Sequence, residues 1–267
     1  MSTVLRKGTS HEVNSAHSFE AERLQLKHYD EIAADYDAHY SDAQSCEYRR
    51  RFFYEPMFEG IALAGTEVLD AMCGSGQTTE YLLKQSASVT GLDISNQTME
   101  SYQAKWPAAK ALRRSLLDSE LPEASFDCIC VVGGLHHVHP HVPAAVAEIH
   151  RLLKPRGYFC FMEPHSGSLP DVIRKFWYKH DHYFSDNEAA IDLNDLERQF
   201  SSRFSFHKVK YQGNLAFLLV LNSLIFRIPP RLKPFYSGPL ISLEAVISRF
   251  QTKLTSCFVV AQWQKKL

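Results

Sequence analysis

The chain lacks long hydrophobic runs. Nowhere in its 267 residues do 18 apolar residues follow one another, so no membrane-spanning helix is expected. It lacks an excess of either charge, since 29 Lys and Arg stand against 30 Asp and Glu for a net charge of −1. Nucleic-acid binding shows as a strongly basic domain, so no nucleic-acid partner is expected. It lacks C-x-x-C spacing: Cys46, Cys73, Cys128, Cys130, Cys160 and Cys257 are scattered. That scatter favours free thiols in a reducing compartment over disulfides. An apolar leader is missing near the N-terminus, so no secretory signal is visible and a cytoplasmic location is the expectation. There is no internal repeat and no low-complexity segment. With 45% hydrophobic and 22% charged residues, the composition excludes disorder, collagen and coiled coil as whole-chain readings.

Histidine, by contrast, is plentiful. The chain has 13, and six of them lie between His136 and His165. A metal site built on His136, His137, His139 and His141 is disfavoured, because structural zinc prefers defined Cys/His spacing and Pro140 breaks the run. No metal is expected.

Residues 1–20 are polar without an apolar period and read as a mobile tail. Residues 21–40 carry Leu24, Tyr29, Ile32, Ala33 and Tyr36 at helical spacing, and residues 46–61 read as a second helix. Residues 21–62 thus form a helical cap. The rhythm then changes to alternating strand and helix. Strands are expected at 67–70, 88–93, 109–114, 126–132 and 158–162. Helices are expected at 78–85, 96–105 and 142–153, with Lys154-Pro-Arg-Gly157 as a stopping turn. Buried strands alternating with amphipathic helices mean a parallel sheet with helices on both faces. Beyond Pro164, helices are expected at 171–182, 193–200 and 242–253, and strands at 204–211 and 256–263. Two late strands joined by an insertion suggest an antiparallel edge. The fold class is α/β: a Rossmann-like, seven-stranded, mostly parallel sheet with an antiparallel last strand. It occupies residues 63–267, with insertions at about 165–203 and 212–254.

In open α/β sheets, ligands bind beyond the carboxyl ends of the strands. All five exits of this sheet carry glycine, acid or histidine, whereas the strands are apolar. The first ends Asp70-Ala-Met-Cys-Gly74-Ser-Gly76 before a helix, where glycine admits close backbone approach and free N–H groups face the ligand. The second ends in Asp93, which suits a ribose diol or the capping of the next helix. Leu117-Asp118 follows the third, Gly133-Gly-Leu-His-His-Val-His139 the fourth, and Glu163-Pro-His165 the fifth.

These residues resemble those of class I S-adenosylmethionine-dependent methyltransferases, in particular the methyltransferase-11 type. Val68-Leu-Asp-Ala-Met-Cys-Gly-Ser-Gly76 is similar to that family's V-L-D-x-G-C-G-x-G. Val89-Thr-Gly-Leu-Asp-Ile-Ser95, Leu121-Pro-Glu-Ala-Ser-Phe-Asp127, Leu135-His-His-Val138 and Glu148-Ile-His-Arg-Leu-Leu-Lys-Pro-Arg-Gly157 match further motifs in order. So does Tyr29-Asp-Glu-Ile-Ala-Ala-Asp-Tyr-Asp37 upstream. The resemblance covers about half the chain, residues 29–164. Met72 departs from it, standing where the family has its first glycine, and Arg156 replaces a turn glycine.

The resemblance implies S-adenosyl-L-methionine as cofactor. It implies cofactor contacts from Tyr29, Asp70, Ala71, Met72, Gly74, Ser75 and Gly76. Asp93 would meet the ribose, Ile94 the adenine ring, Leu117 and Asp118 the adenine edge, and Gly133 the sulfonium region. The expected activity is methyl transfer to a small, partly apolar acceptor, most readily at oxygen, such as a natural product or lipid-linked molecule. His136, His137 and His165 are the candidate catalytic groups, since a base is needed where the nucleophile must lose a proton. Two alternatives stay open: a cofactor-bound protein with a non-methylating or scaffold role, and a nicotinamide-dependent oxidoreductase. The latter needs a third glycine in G-x-G-x-x-G, where Thr79 stands. The apolar stretch 214–227 is too short to span a bilayer; core filling, an acceptor pocket, peripheral membrane contact and a homodimer are all compatible with it.

Overall fold

The computed structural model describes residues 39–178 and 189–267. The expected tail, the cap helix up to residue 38 with Tyr29, and the insertion residues His180, His182, Tyr183 and Phe184 lie outside the described residues.

One seven-stranded sheet organises the described residues, in the order β3-β2-β1-β4-β5-β7-β6. Its strands are β1 Glu67–Ala71, β2 Ser88–Asp93, β3 Lys110–Arg113, β4 Phe126–Val132, β5 Leu153–Pro164, β6 Phe204–Gln212 and β7 Phe258–Lys265. Pairing is parallel except that β7 runs antiparallel to both β5 and β6. The strand order therefore reverses between β1 and β4, the point at which such sheets open a crevice at their carboxyl ends.

The helices are α1 Ala43–Arg49, α2 Glu55–Phe58, α3 Gln77–Lys84, α4 Asn96–Lys105, α5 Val142–Leu152, α6 Leu169–Tyr178, α7 Leu193–Phe200 and α8 Lys233–Ile247. A π-helical turn, Arg50–Tyr54, joins α1 to α2. The period of two in each strand sends alternate side chains to opposite faces. Val68, Cys128, Cys130, Cys160 and Phe258 pack with Tyr48, Phe53, Leu82 and Tyr102 from the α1, α3 and α4 side. Leu69, Ile129, Phe159, Phe161 and Trp263 pack with Val146 and Ile149 of α5 and Leu196 and Phe200 of α7. Burying each such side chain contributes on the order of 2 kcal/mol. All six cysteines are free thiols.

The alternation of strands and helices follows the sequence reading closely up to Pro164, and the differences have local causes. Lys154–Gly157, expected as a turn, lies within β5. Phe126 pairs with Leu153 and Cys128 with Tyr158, so the intervening residues bulge, and Arg156 takes φ 63°. Helix α8 begins at Lys233 rather than Ser242. Pro234 sits in its first turn, where a missing N–H costs nothing, although Gly238 and Pro239 read locally as loop. The apolar 214–227 stretch forms a π-helical turn, Phe217–Leu221, with Ala216, Val220, Leu221 and Leu224 buried in the core.

Helix α8 is fixed by polar groups. Lys233 reaches Asp42 at the start of α1 and Ser45 Oγ at 2.8 Å. The Glu244 carboxylate accepts the Tyr48 hydroxyl and the N–H groups of Ala216 at 2.7 Å and Phe217 at 3.0 Å. The N-terminal helix, the 214–227 stretch and α8 thus form one unit against the sheet.

Candidate active site

Asp70, near the end of β1, turns beneath α3. It is buried, and its carboxylate accepts the Thr79 hydroxyl at 2.7 Å, which in turn meets Tyr102 Oη at 2.7 Å. Burial pushes the Asp70 carboxyl up to about 7. The chain then passes buried Ala71 and enters a loop in left-handed conformations: Met72 at φ 57°, Gly74 at 50° and Gly76 at 79°. Gly76 is the N-cap of α3, and no side chain caps that end. Trp106, following α4, closes the loop from outside. Its indole N–H donates to the Ser75 carbonyl at 3.0 Å, and a Cβ on Gly76 would stand 2.3 Å from Trp106 Nε1.

Asp93 ends β2 and binds this loop. Its carboxylate accepts the N–H of Gly74 at 3.0 Å and of Ser95 at 3.1 Å. Capping of α4 falls to Ser95, whose hydroxyl accepts Thr98 N–H, so Asp93 does not serve as the helix cap. Burial pushes its carboxyl upward, and the backbone donors oppose that shift. Ile94 beside it is half-buried. Beyond β3, Leu117 is half-buried against the core and Asp118 is exposed.

β4 exits through Gly133, at φ 67°, into a 3-10 turn, Leu135–His137. A Cβ on Gly133 would meet only His136 Cε1, at 4.0 Å, so the space above it is open. Gly134 is the opposite case. A Cβ there would stand 2.9 Å from Met72 Sδ, because the Met72 side chain crosses from the β1 exit to lie over it.

Glu163, near the end of β5, is fully buried. Its Oε1 accepts the N–H of Gly134 and of Leu135, each at 2.7 Å, and its Oε2 lies 2.8 Å from His136 Nδ1. Burial pushes the carboxyl up to about 7 against these donors. The His137 ring lies 3.8 Å from that of His136, centroid to centroid.

The structure therefore brings Asp70, Ala71, Met72, Gly74, Ser75, Gly76 and Asp93 into one loop system, and Gly133, His136 and His137 into the neighbouring one. His165 joins neither. It is buried, with Nε2 2.8 Å from Ser256 Oγ and its ring edge-on to Tyr211 at 4.9 Å. It thus lies apart from the His136–His137 pair, near the edge where β6 and β7 meet. The residue lies just past the end of β5, two positions beyond Glu163, and forms a bridge with Ile191.

Comparison with known proteins fits this geometry. Residues 69–161 match the family model Methyltransf_11, described as a methyltransferase domain. An uncharacterized methyltransferase of Synechocystis sp. is 32% identical over 118 residues, which cover 43% of this chain and 56% of that protein. Residues 69–161 are thus similar to a methyltransferase domain. The domain is also similar to phthiotriol/phenolphthiotriol dimycocerosates methyltransferase 1 of Mycobacterium ulcerans, 30% identical over 107 residues, or 39% of each chain. The chain spans about half the length, or less, of the curated relatives it matches. In fold it resembles an S-adenosylmethionine-dependent methyltransferase from Mesorhizobium loti, with a TM-score of 0.52 at 18% identity over 84% of this chain and 98% of that one.

Methyltransferases of this kind use S-adenosylmethionine, and the residues present would suit it. Nothing lies within 4 Å of a Cβ built on Gly74, the α3 N-terminus has no side-chain cap, and the Asp93 carboxylate is already oriented. Glu163, Thr79, Tyr102 and Trp106 support the site without having been singled out as site residues. The one local signal was Glu163 itself, an acid ending an otherwise apolar strand.

Proposed function

We propose that this protein transfers the methyl group of S-adenosylmethionine to a hydroxyl on a small, partly apolar acceptor, with His136 as base and Glu163 orienting it. The observation that carries this reading is the 2.8 Å contact between Glu163 Oε2 and His136 Nδ1 at the β4 exit, beside the open space over Gly133. Asp93 binds the ribose, the Gly74–Gly76 loop the amino-acid end, and Ile94, Leu117 and Asp118 the adenine. Bound there, the cofactor supplies an electrophilic methyl carbon that an acceptor oxygen displaces from sulfur, the C–S electron pair staying on sulfur as the C–O bond forms.

The chain's own residues position the reactants and remove a proton. Glu163 accepts the Nδ1–H of His136, which leaves the imidazole lone pair on Nε2 and fixes the ring. Nε2 then takes the hydroxyl proton as the oxygen attacks. The resulting imidazolium is balanced by Glu163. Holding the two reactants in line is the larger contribution to rate. The described parts of the segments outside residues 63–164, α1 and α6 to α8 among them, shape the acceptor side. The Mycobacterium ulcerans relative is named for phthiotriol and phenolphthiotriol dimycocerosates, which supports a small-molecule acceptor.

The test is mass spectrometry of incubations with S-adenosylmethionine and hydroxyl-bearing acceptors. Formation of S-adenosylhomocysteine together with a product heavier by one methylene is the expected result. Met72, held at φ 57° over Gly134, favours a second reading, a cofactor-bound protein that does not transfer methyl. Tight cofactor binding without turnover on any acceptor would establish that instead.

A further inference from the structure

Helix α8 is built inside out. Its inward face carries Lys233, Ser237, Ile241 and Glu244, all buried. Its outward face carries Phe235 and Val246, which are 83% and 53% exposed, together with Leu243, and the turn beyond it adds Phe250 at 80%. At 100° per residue Phe235, Leu243 and Val246 lie within one narrow stripe. Water on an outer surface selects polar side chains, and here the polar groups are the ones turned inward.

A second helix carries another exposed apolar stripe. The N–H of Leu169, which opens α6, donates to the Leu254 carbonyl at 2.9 Å, just past the α8 stripe. Along α6, Leu169, Val172, Ile173 and Phe176 repeat at i, i+3, i+4 and i+7, each more than half exposed.

Charge follows the same region. Residues 201–267 contain ten Lys and Arg and a single acid, Glu244, whereas residues 1–200 contain 19 Lys and Arg and 29 acids. Glu244 is buried, so the described surface of this C-terminal part presents cations only. Arg231 precedes α8, and Arg249 and Lys253 follow it. None of the three forms an ion pair among the described residues.

We propose that this face docks on a negatively charged lipid bilayer, the α8 stripe entering the headgroup boundary and Arg231, Arg249 and Lys253 pairing with lipid phosphates. Aromatic and aliphatic side chains bordered by cations are the chemistry of interfacial helices, and long cationic side chains reach outward from an immersed apolar face. A second copy of the chain fits worse. A two-fold contact through this face would set the unpaired cations of one copy against those of the other. The inference goes beyond methyl transfer and does not depend on it.

Co-sedimentation of the full chain with phosphatidylcholine vesicles, with and without phosphatidylglycerol, tests it. Partition onto the phosphatidylglycerol vesicles is expected, with loss at high salt. Phe235→Ser with Phe250→Ser should weaken partition about a hundredfold, roughly tenfold for each ring. Arg231→Glu with Arg249→Glu should abolish the preference for anionic vesicles. Circular dichroism and cofactor binding should be unchanged in both variants, since neither pair touches the strand exits. Failure of the full chain to partition at low salt, or undiminished partition of the Phe variant, overturns the proposal. So does light scattering that shows a dimer which the Phe variant converts to monomer.

Discussion

Glu163 holds His136 by both ends: one carboxylate oxygen lies 2.8 Å from the ring Nδ1, while the other accepts the two N–H groups that lead into the turn on which His136 rides. Ring and backbone are thus oriented by one buried charge. Replacing His136 by Ala should lower kcat on a hydroxyl acceptor by about 10²–10⁴. Glu163→Gln should lower it by a similar or smaller factor, because the amide can no longer balance an imidazolium. In both variants the KM for cofactor should stay within a few-fold. Steady-state kinetics checks the split; an unchanged kcat for His136→Ala would remove the histidine from the mechanism.

Asp93 has two tasks. It pins the Gly74 N–H and is the proposed ribose ligand, so Asp93→Ala removes a charged acceptor and frees the loop together. Hydrogen bonds to charged groups contribute about 1.5–3 kcal/mol, and the dissociation constant for S-adenosylmethionine should rise about 10–100-fold. Calorimetry would show this directly, and retention of full affinity would refute the assignment.

The strand exits were legible because they are punctuated: glycine, acid or histidine breaks each apolar run, and an open parallel sheet gathers those breaks at one edge. The roles of Glu163 and His165 were not. Glu163 lies in β5 and His165 just past its end, and only the fold shows that the first meets the β4 turn while the second meets Ser256 and Tyr211. Helix α8 was half hidden for a related reason. Pro234, Gly238 and Pro239 read locally as loop, and the polar inward face of Lys233, Ser237 and Glu244 inverts the usual apolar period. Met72 gave a signal with a partner that the sequence could not supply, since only the fold places Gly134 beneath it.

Stability should depend on two buried carboxyls. Burial raises Asp70 from 3.8, and Glu163 from 4.5, to about 7 each. The folded protein therefore holds these protons more tightly than the unfolded chain does. Their stabilising effect is complete below the unfolded values and is lost as pH rises through about 7. The cofactor-free protein should lose on the order of a few kcal/mol between pH ~4 and ~7 from these groups. Asp70→Asn, which keeps an acceptor for Thr79, should flatten that fall. Denaturant midpoints across the range check this, and an identical slope in the variant would contradict it.

The glycine loop should also reveal its dependence on Trp106. Ala at position 76 incurs two separate costs: a left-handed φ of 79°, and a Cβ that would stand 2.3 Å from Trp106 Nε1. The first is worth about 1–2 kcal/mol wherever it occurs, and overpacking adds about 1–3 kcal/mol. Gly76→Ala should therefore destabilise the protein by about 2–5 kcal/mol in the parent and by less in a Trp106→Ala background, where only Tyr102 Cε2, 2.9 Å from that Cβ, still crowds it. Trp106→Phe, which keeps a ring but loses the N–H to Ser75, should weaken cofactor binding with little change in kcat. Urea unfolding of the four chains of the double-mutant cycle measures the coupling. Equal costs of Gly76→Ala in both backgrounds would show that the indole does not hold the loop.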